Sequence, residues 1–140
     1  MIAIDSSVIV AALLSWHESH GPAARALEHA LGTKEGVVIP AHALVESYSV
    51  LTRLPAPHRL KAADALTLLR ENFGQARLAA HAARAVFPML TELAAASHGG
   101  GIVYDAIILD AAAGAGATSL LTLNARDYER LPERLRITAV

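Results

Sequence analysis

The sequence predicts one α/β domain, with a mainly parallel sheet covered by helices on both faces. Three observations predict it. Short apolar or β-branched runs alternate along the chain with longer segments that repeat apolar residues at helical spacing. Residues that favour turns and caps cluster between these segments. The length, 140 residues, suits a single domain that can bury a substantial core without covalent staples, and none are available because cysteine is absent.

Met1 to Ile4 is a short apolar run that ends in Asp5-Ser6-Ser7, residues that commonly cap helices, so a first strand leads into a helix over Val8 to Leu14. A polar loop through Trp16, His17 and His20 follows, and Pro22 sits in the first turn of a second helix that runs to Leu31. Gly32 and Gly36 bracket a turn before Val37-Val38-Ile39, a buried strand stopped by Pro40. A third helix is predicted over Ala41 to Leu54, ended by Pro55 and Pro57. A fourth over Leu60 to Asn72 carries Ala62, Leu66 and Leu69 at helical spacing. Gly74 to His98 is the least legible stretch, because Pro88 interrupts an otherwise helical pattern; one or two helices are expected there, with room for a short strand before them. Gly99-Gly100-Gly101 is the clearest break. A helix over Ile102 to Ala113, a strand over Ser119 to Leu123, a polar turn from Asn124 to Tyr128 and a final edge strand over Ile137 to Val140 complete the chain.

Composition excludes several classes of function. Without cysteine there is no disulfide framework, no thiol nucleophile and no cysteine zinc site, which fits a reducing cytoplasm. Charged or strongly polar residues interrupt every apolar run before the ~18 residues a spanning helix needs, and nothing basic precedes Val8, so neither a membrane span nor a secretory signal is expected. Thirty alanines point to tightly packed helices. Twelve basic against thirteen acidic residues leave a net charge of -1, so bulk charge does not announce a nucleic-acid binder, although cations bound to the carboxylates would turn the protein mildly basic. Ten arginines beside two lysines suit bidentate phosphate contacts, and equally reflect a biased genome.

In an open parallel sheet, ligands bind outside the carboxyl ends of the strands, which makes Asp5, Asn124 and Asp127 the first candidates for chemistry. Asp5 could instead cap the following helix, a role Ser6 and Ser7 could share. Glu46 lies among apolar neighbours, Ala43 and Val50, with His42 one turn away as an alternative partner. Asp105 shares its helical face with Ile102, Ile108 and Leu109, where an unpaired charge is costly; it must be hydrogen-bonded near the helix start, paired with an arginine, or bound to a metal. Asp110 lies roughly 140° further around the helix and reads as structural or peripheral. His17-Glu18-Ser19-His20 lacks zinc-protease spacing and reads as a solvated loop. The triple glycine has no Lys-Ser or Lys-Thr after it, and no serine sits in a Gly-x-Ser-x-Gly elbow, so phosphate-loop and serine-hydrolase readings fail. Four acids remain: Asp5, Glu46, Asp105 and Asp127. Hard cations such as Mg²⁺ and Mn²⁺ take oxygen ligands of this kind and can organise phosphodiester hydrolysis.

Taken together, Asp5-Ser6-Ser7 closing the first strand, Glu46 in the helix after the second, Tyr104-Asp105-Ala106-Ile107-Ile108 opening a helix, and Thr122 to Tyr128 after the next strand resemble a PIN domain. In size and order the chain is most similar to the VapC-type ribonuclease toxins of toxin-antitoxin pairs. The resemblance covers nearly the whole chain, so residues 1–140 are expected to form one PIN-like ribonuclease domain. It implies a metal-dependent endoribonuclease in which Asp5, Glu46 and Asp105 bind Mg²⁺ or Mn²⁺, with Ser7 beside them. A fourth site residue comes from the segment Asn124 to Asp127. Asn124 stands where many members carry aspartate, which moves that role toward Asp127. Arg126 is expected to hold the RNA backbone. The resemblance further implies a homodimer and a small antitoxin protein that occupies the groove, in the cytoplasm. Two rivals stand beside this reading. One is a catalytically silent PIN-fold interaction module. The other is an aspartate-dependent phosphatase, which usually wants a second acid where Ser7 stands.

Overall fold

The structure, a computed structural model, describes residues 1–140. Five strands form one sheet: β1 (Ile2–Ile4), β2 (Val37–Pro40), β3 (Arg77–Ala79), β4 (Ser119–Thr122) and β5 (Arg136–Ala139). Every neighbouring pair is parallel, and the order across the sheet is β3-β2-β1-β4-β5. The helices between them are α1 (Ser6–Leu13), α2 (His20–Gly32), α3 (Ala41–Arg53), α4 (Ala62–Phe73), α5 (Val86–Ala95), α6 (Ile102–Gly114) and α7 (Ala125–Tyr128), with a 3₁₀ turn at Ala83–Ala85. Parallel strands need crossovers, and helices supply them here. The chain builds outward from β1 through β2 to β3, then returns to the other side of β1 with β4 and β5. That reversal opens a crevice at the carboxyl ends of β1 and β4, where this class of sheet binds its ligands.

The central strands are apolar because both faces are covered. Ala3, Ile4, Val38, Ile39 and Leu120 are fully buried, and they share one core with Val8, Ile9, Leu51 and Ile108 from the helices. Alanines at Ala11, Ala23, Ala43, Ala65 and Ala112 have no exposed surface, and their small side chains let the layers approach closely at these points.

The predicted strands and helices are found, with one correction. The segment from Asn124 to Tyr128 is not a polar turn throughout: residues Ala125–Tyr128 form the short helix α7, which carries Tyr128 into the core at 1% exposure. The illegible stretch contains both an edge strand, β3, and a helix, α5. Pro88 falls in the first turn of α5, where its missing N–H goes unused, so it opens the helix without breaking it. No helix is long and apolar enough to cross a membrane.

Candidate active site

Asp5 ends β1 and stands at the N-cap position of α1, yet its side chain makes no capping hydrogen bond. The carboxylate is 2% exposed and turns inward. Its Oδ2 accepts hydrogen bonds from Ser7 Oγ at 2.7 Å and Thr122 Oγ1 at 2.8 Å, and its Oδ1 accepts one from Tyr128 Oη at 2.8 Å. Three hydroxyl donors thus hold a buried anion that has no cation paired with it, and bonds to an ionised acceptor are among the strong ones. Burial first, and then the charge of Asp5, push the Tyr128 phenol above its ordinary range, which keeps it protonated and donating. Ser7 also accepts a hydrogen bond from the Leu123 backbone N–H at 3.0 Å, and Thr122 accepts one from the Asn124 N–H at 2.9 Å. The ends of β1 and β4 are therefore pinned together through Asp5.

Glu46 points from α3 toward α1, where Ser6 Oγ donates to its Oε2 at 2.7 Å. The alternative pairing with His42 is not built; the His42 ring stacks on Tyr104 instead. Asp105, in the first turn of α6, is half-buried, and its pKa is raised to about 7. Burial is the largest cause, followed by the negative charges of Asp5, Asp127 and Glu46, and all four push the same way. Neither of the structural alternatives for Asp105, a hydrogen bond at the helix start or an arginine partner, is realised. Acids from four separated segments meet in one electrostatic field.

Their isolation from cations separates them from the other acids. None of Asp5, Glu46, Asp105 and Asp127 forms an ion pair, whereas Asp110 binds Arg134 at 3.2 Å with His81 at 3.5 Å, Glu92 also pairs with Arg134, and Glu35 meets the N-terminus. Asp110 is thus structural, as expected. A set of oxygen donors that leaves one carboxyl destabilised as an anion fits a hard divalent cation. No three Asp, Glu or His side chains close on a common point as a complete shell. Magnesium does not require one, since it usually keeps several waters and binds through one or two carboxylates.

The two candidates for the fourth role occupy different surroundings. Asn124 lines an open cleft of about 570 Å³ together with Ser6, Ser7 and Glu46. Asp127, exposed on α7, acts on Asp105 through its charge. Arg126 is exposed beside it. His17 lines the same cleft at intermediate exposure, and its Nδ1 accepts a hydrogen bond from the Ser19 N–H at 3.1 Å within the loop.

Sequence reasoning missed Ser6, Thr122 and Tyr128 as site residues. Ser6 and Thr122 looked like a helix cap and the end of a strand. The available signal was a hydroxyl at the last residue of a buried strand and a tyrosine four residues after Asn124. Reading that signal required knowing that β4 lies against β1.

Comparison with known proteins bears on the family and the fold. The family model described as PIN domain matches residues 2–133. Ribonuclease VapC40 of Mycobacterium tuberculosis is 44% identical over 98% of this chain and 96% of its own length. Ribonuclease VapC27 of the same organism is 35% identical over 99% of this chain and 97% of its own. Among solved structures, M. tuberculosis VapC20, described as a sarcin-ricin loop cleaving toxin, superposes with a TM-score of 0.73 at 17% identity, covering 97% of this chain and 99% of the other. A chain of VapBC2 from Rickettsia felis, crystallised on a DNA fragment from its promoter, gives 0.70 at 19% identity over 100% and 99%. At those identities the two structures speak to the fold.

Proposed function

The chain belongs to the PIN-domain family, and from that membership we propose that it is a divalent-metal-dependent endoribonuclease, the toxin of a toxin-antitoxin pair. One observation supports the reading: the charges of Asp5, Glu46 and Asp127, acids from three other segments, reach Asp105 and raise its pKa, and none of the four is paired with a cation. Asp5, Glu46 and Asp105 would hold Mg²⁺ or Mn²⁺, with Asp127 or Asn124 as the fourth residue. A bound cation would supply Lewis acidity toward the scissile phosphate and lower the pKa of the attacking water. The protein's part is positional. Ser7, Thr122 and Tyr128 fix the Asp5 carboxylate, Ser6 fixes that of Glu46, and Asp105, left without a donor, gains most from a positive charge. Arg126 is exposed where it can meet the RNA backbone.

Incubation of the purified protein with RNA and Mg²⁺ or Mn²⁺ is expected to give endonucleolytic products, and EDTA to stop it until metal is restored. Absence of cleavage with either metal would favour the silent interaction module. In parallel, a cation that binds only the folded state should raise the melting temperature, by up to ~2.7 kcal/mol of stability at a hundredfold excess over Kd.

For the fourth position, Asp127→Ala is expected to slow single-turnover cleavage more than Asn124→Ala, because a carboxylate neutralises cation charge and an amide offers only an oxygen. The reverse order would hand the role to Asn124, which shares the cleft with Glu46.

The relatives solved as VapBC complexes support an antitoxin partner, and a homodimer is part of the same proposal. Exposed apolar side chains are available for both: Val45 at 66%, Leu66 at 47%, Leu78 at 51% and Phe87 at 80%.

A further inference from the structure

Tyr104 and His42 lie beside the acids yet take no part in the arrangement described above. His42 stands one turn before Glu46 on the same side of α3, and Tyr104 immediately precedes Asp105 in the first turn of α6. Their rings stack with centroids 5.3 Å apart and planes 5° from parallel. Tyr104 nevertheless remains 52% exposed. Tyrosine has only two side-chain torsions, and a second ring against one face restricts them, so the open face is oriented before any ligand arrives. One turn beyond Glu46, Val50 lines the cleft with His17. The neighbouring Trp16 is 48% exposed and stacks on His58 with centroids 3.9 Å apart. Aromatic rings are thus exposed both beside Asp105, at Tyr104, and next to His17 of the cleft, at Trp16.

The cleft itself contains no lysine or arginine, and the protein's net charge is -1. Beyond a bound cation and Arg126, the protein's own side chains attract phosphate little here, so an RNA strand needs a further contact to order it. Stacking of unpaired bases on aromatic side chains does this without any charge. We propose that the Tyr104–His42 stack is a nucleobase platform: a base next to the scissile phosphate of single-stranded RNA stacks on the open face of Tyr104, which sets the phosphate over the acids. His42 is the positioning residue behind it. This rests on the ribonuclease reading above.

The test begins with an RNA that the wild-type protein cleaves; if none is found, the ribonuclease reading itself fails. With cleavage established, Tyr104→Ala is expected to raise KM about tenfold while kcat changes far less, and Tyr104→Phe to keep the parental KM. Tyr104→Leu fills similar space against His42 without an aromatic face, so it guards against a folding defect and is expected to show the same rise. An oligonucleotide of the cleaved sequence, with a 2′-deoxy nucleotide at the cut and 2-aminopurine placed at each position in turn, should lose fluorescence at one position adjacent to the cut. That quenching should appear with the parent and Tyr104→Phe and vanish with Tyr104→Leu. A parental KM in Tyr104→Leu, or quenching that survives it, would assign the stack to packing or to a protein contact and overturn the platform while leaving the nuclease intact.

Discussion

Asp5→Asn is expected to lower RNA cleavage on the order of a thousandfold and, independently, to cost the fold about 1–3 kcal/mol. The two losses have different origins. Activity falls because the amide removes the negative charge that would anchor a cation at the end of β1. Stability falls because the carboxylate is 2% exposed and accepts from Ser7, Thr122 and Tyr128, three donors that an amide cannot all satisfy. The amide nitrogen must face at least one hydroxyl as a donor and turn it around, and the charge assistance is lost from all three bonds. Tyr128→Phe tests the same assembly from the other side. It deletes one donor, so a smaller stability loss of ~1 kcal/mol and a rate loss of about 10- to 100-fold are expected, in the range of other residues that orient metal ligands. Denaturant melts and single-turnover rates on both variants check this. A fully stable Asp5→Asn protein would mean that the three hydroxyls do not need the anion.

These consequences divide along the line of what could be read before the fold was known. The four acids were legible because a carboxylate at a strand end or on an apolar helical face is conspicuous in a sequence. The hydroxyls that serve them were not. Thr122 and Tyr128 acquire their role only because β4 crosses back to lie against β1, and chain order alone does not say which strands become neighbours. The same reasoning explains the uneven reading of the sheet. β2 and β4 are buried along most of their length and therefore appear as apolar runs, while β3 is a three-residue edge strand with Arg77 and Leu78 exposed and leaves no such trace. A four-residue helix such as α7 has too few turns to show periodicity; only the burial of Tyr128 reveals what it does.

Asp105→Asn is expected to abolish cleavage as completely as Asp5→Asn, yet in EDTA at neutral pH to leave the protein as stable as the parent or more so. Asp105 has no compensating donor; its carboxyl titrates at about 7 because burial and the charges of Asp5, Asp127 and Glu46 oppose ionisation. The sign of the pH dependence follows. Between the unfolded value of 3.8 and the folded value near 7, the folded chain holds a proton that the unfolded chain has released. Stability from this group is therefore fully present below 3.8 and is lost as pH rises through 7. The amide mimics the protonated carboxyl and cannot ionise, so the variant should keep its stability across that window while the parent declines. Adding Mg²⁺ should reverse the ranking, because a cation favours the ionised carboxylate of the parent and finds one ligand fewer in the variant. Melting curves of the two proteins at pH 5 and pH 8, in EDTA and in Mg²⁺, measure all of this. If Asp105→Asn melts clearly below the parent in EDTA at pH 8, Asp105 is a structural acid and does not belong to a shared metal site.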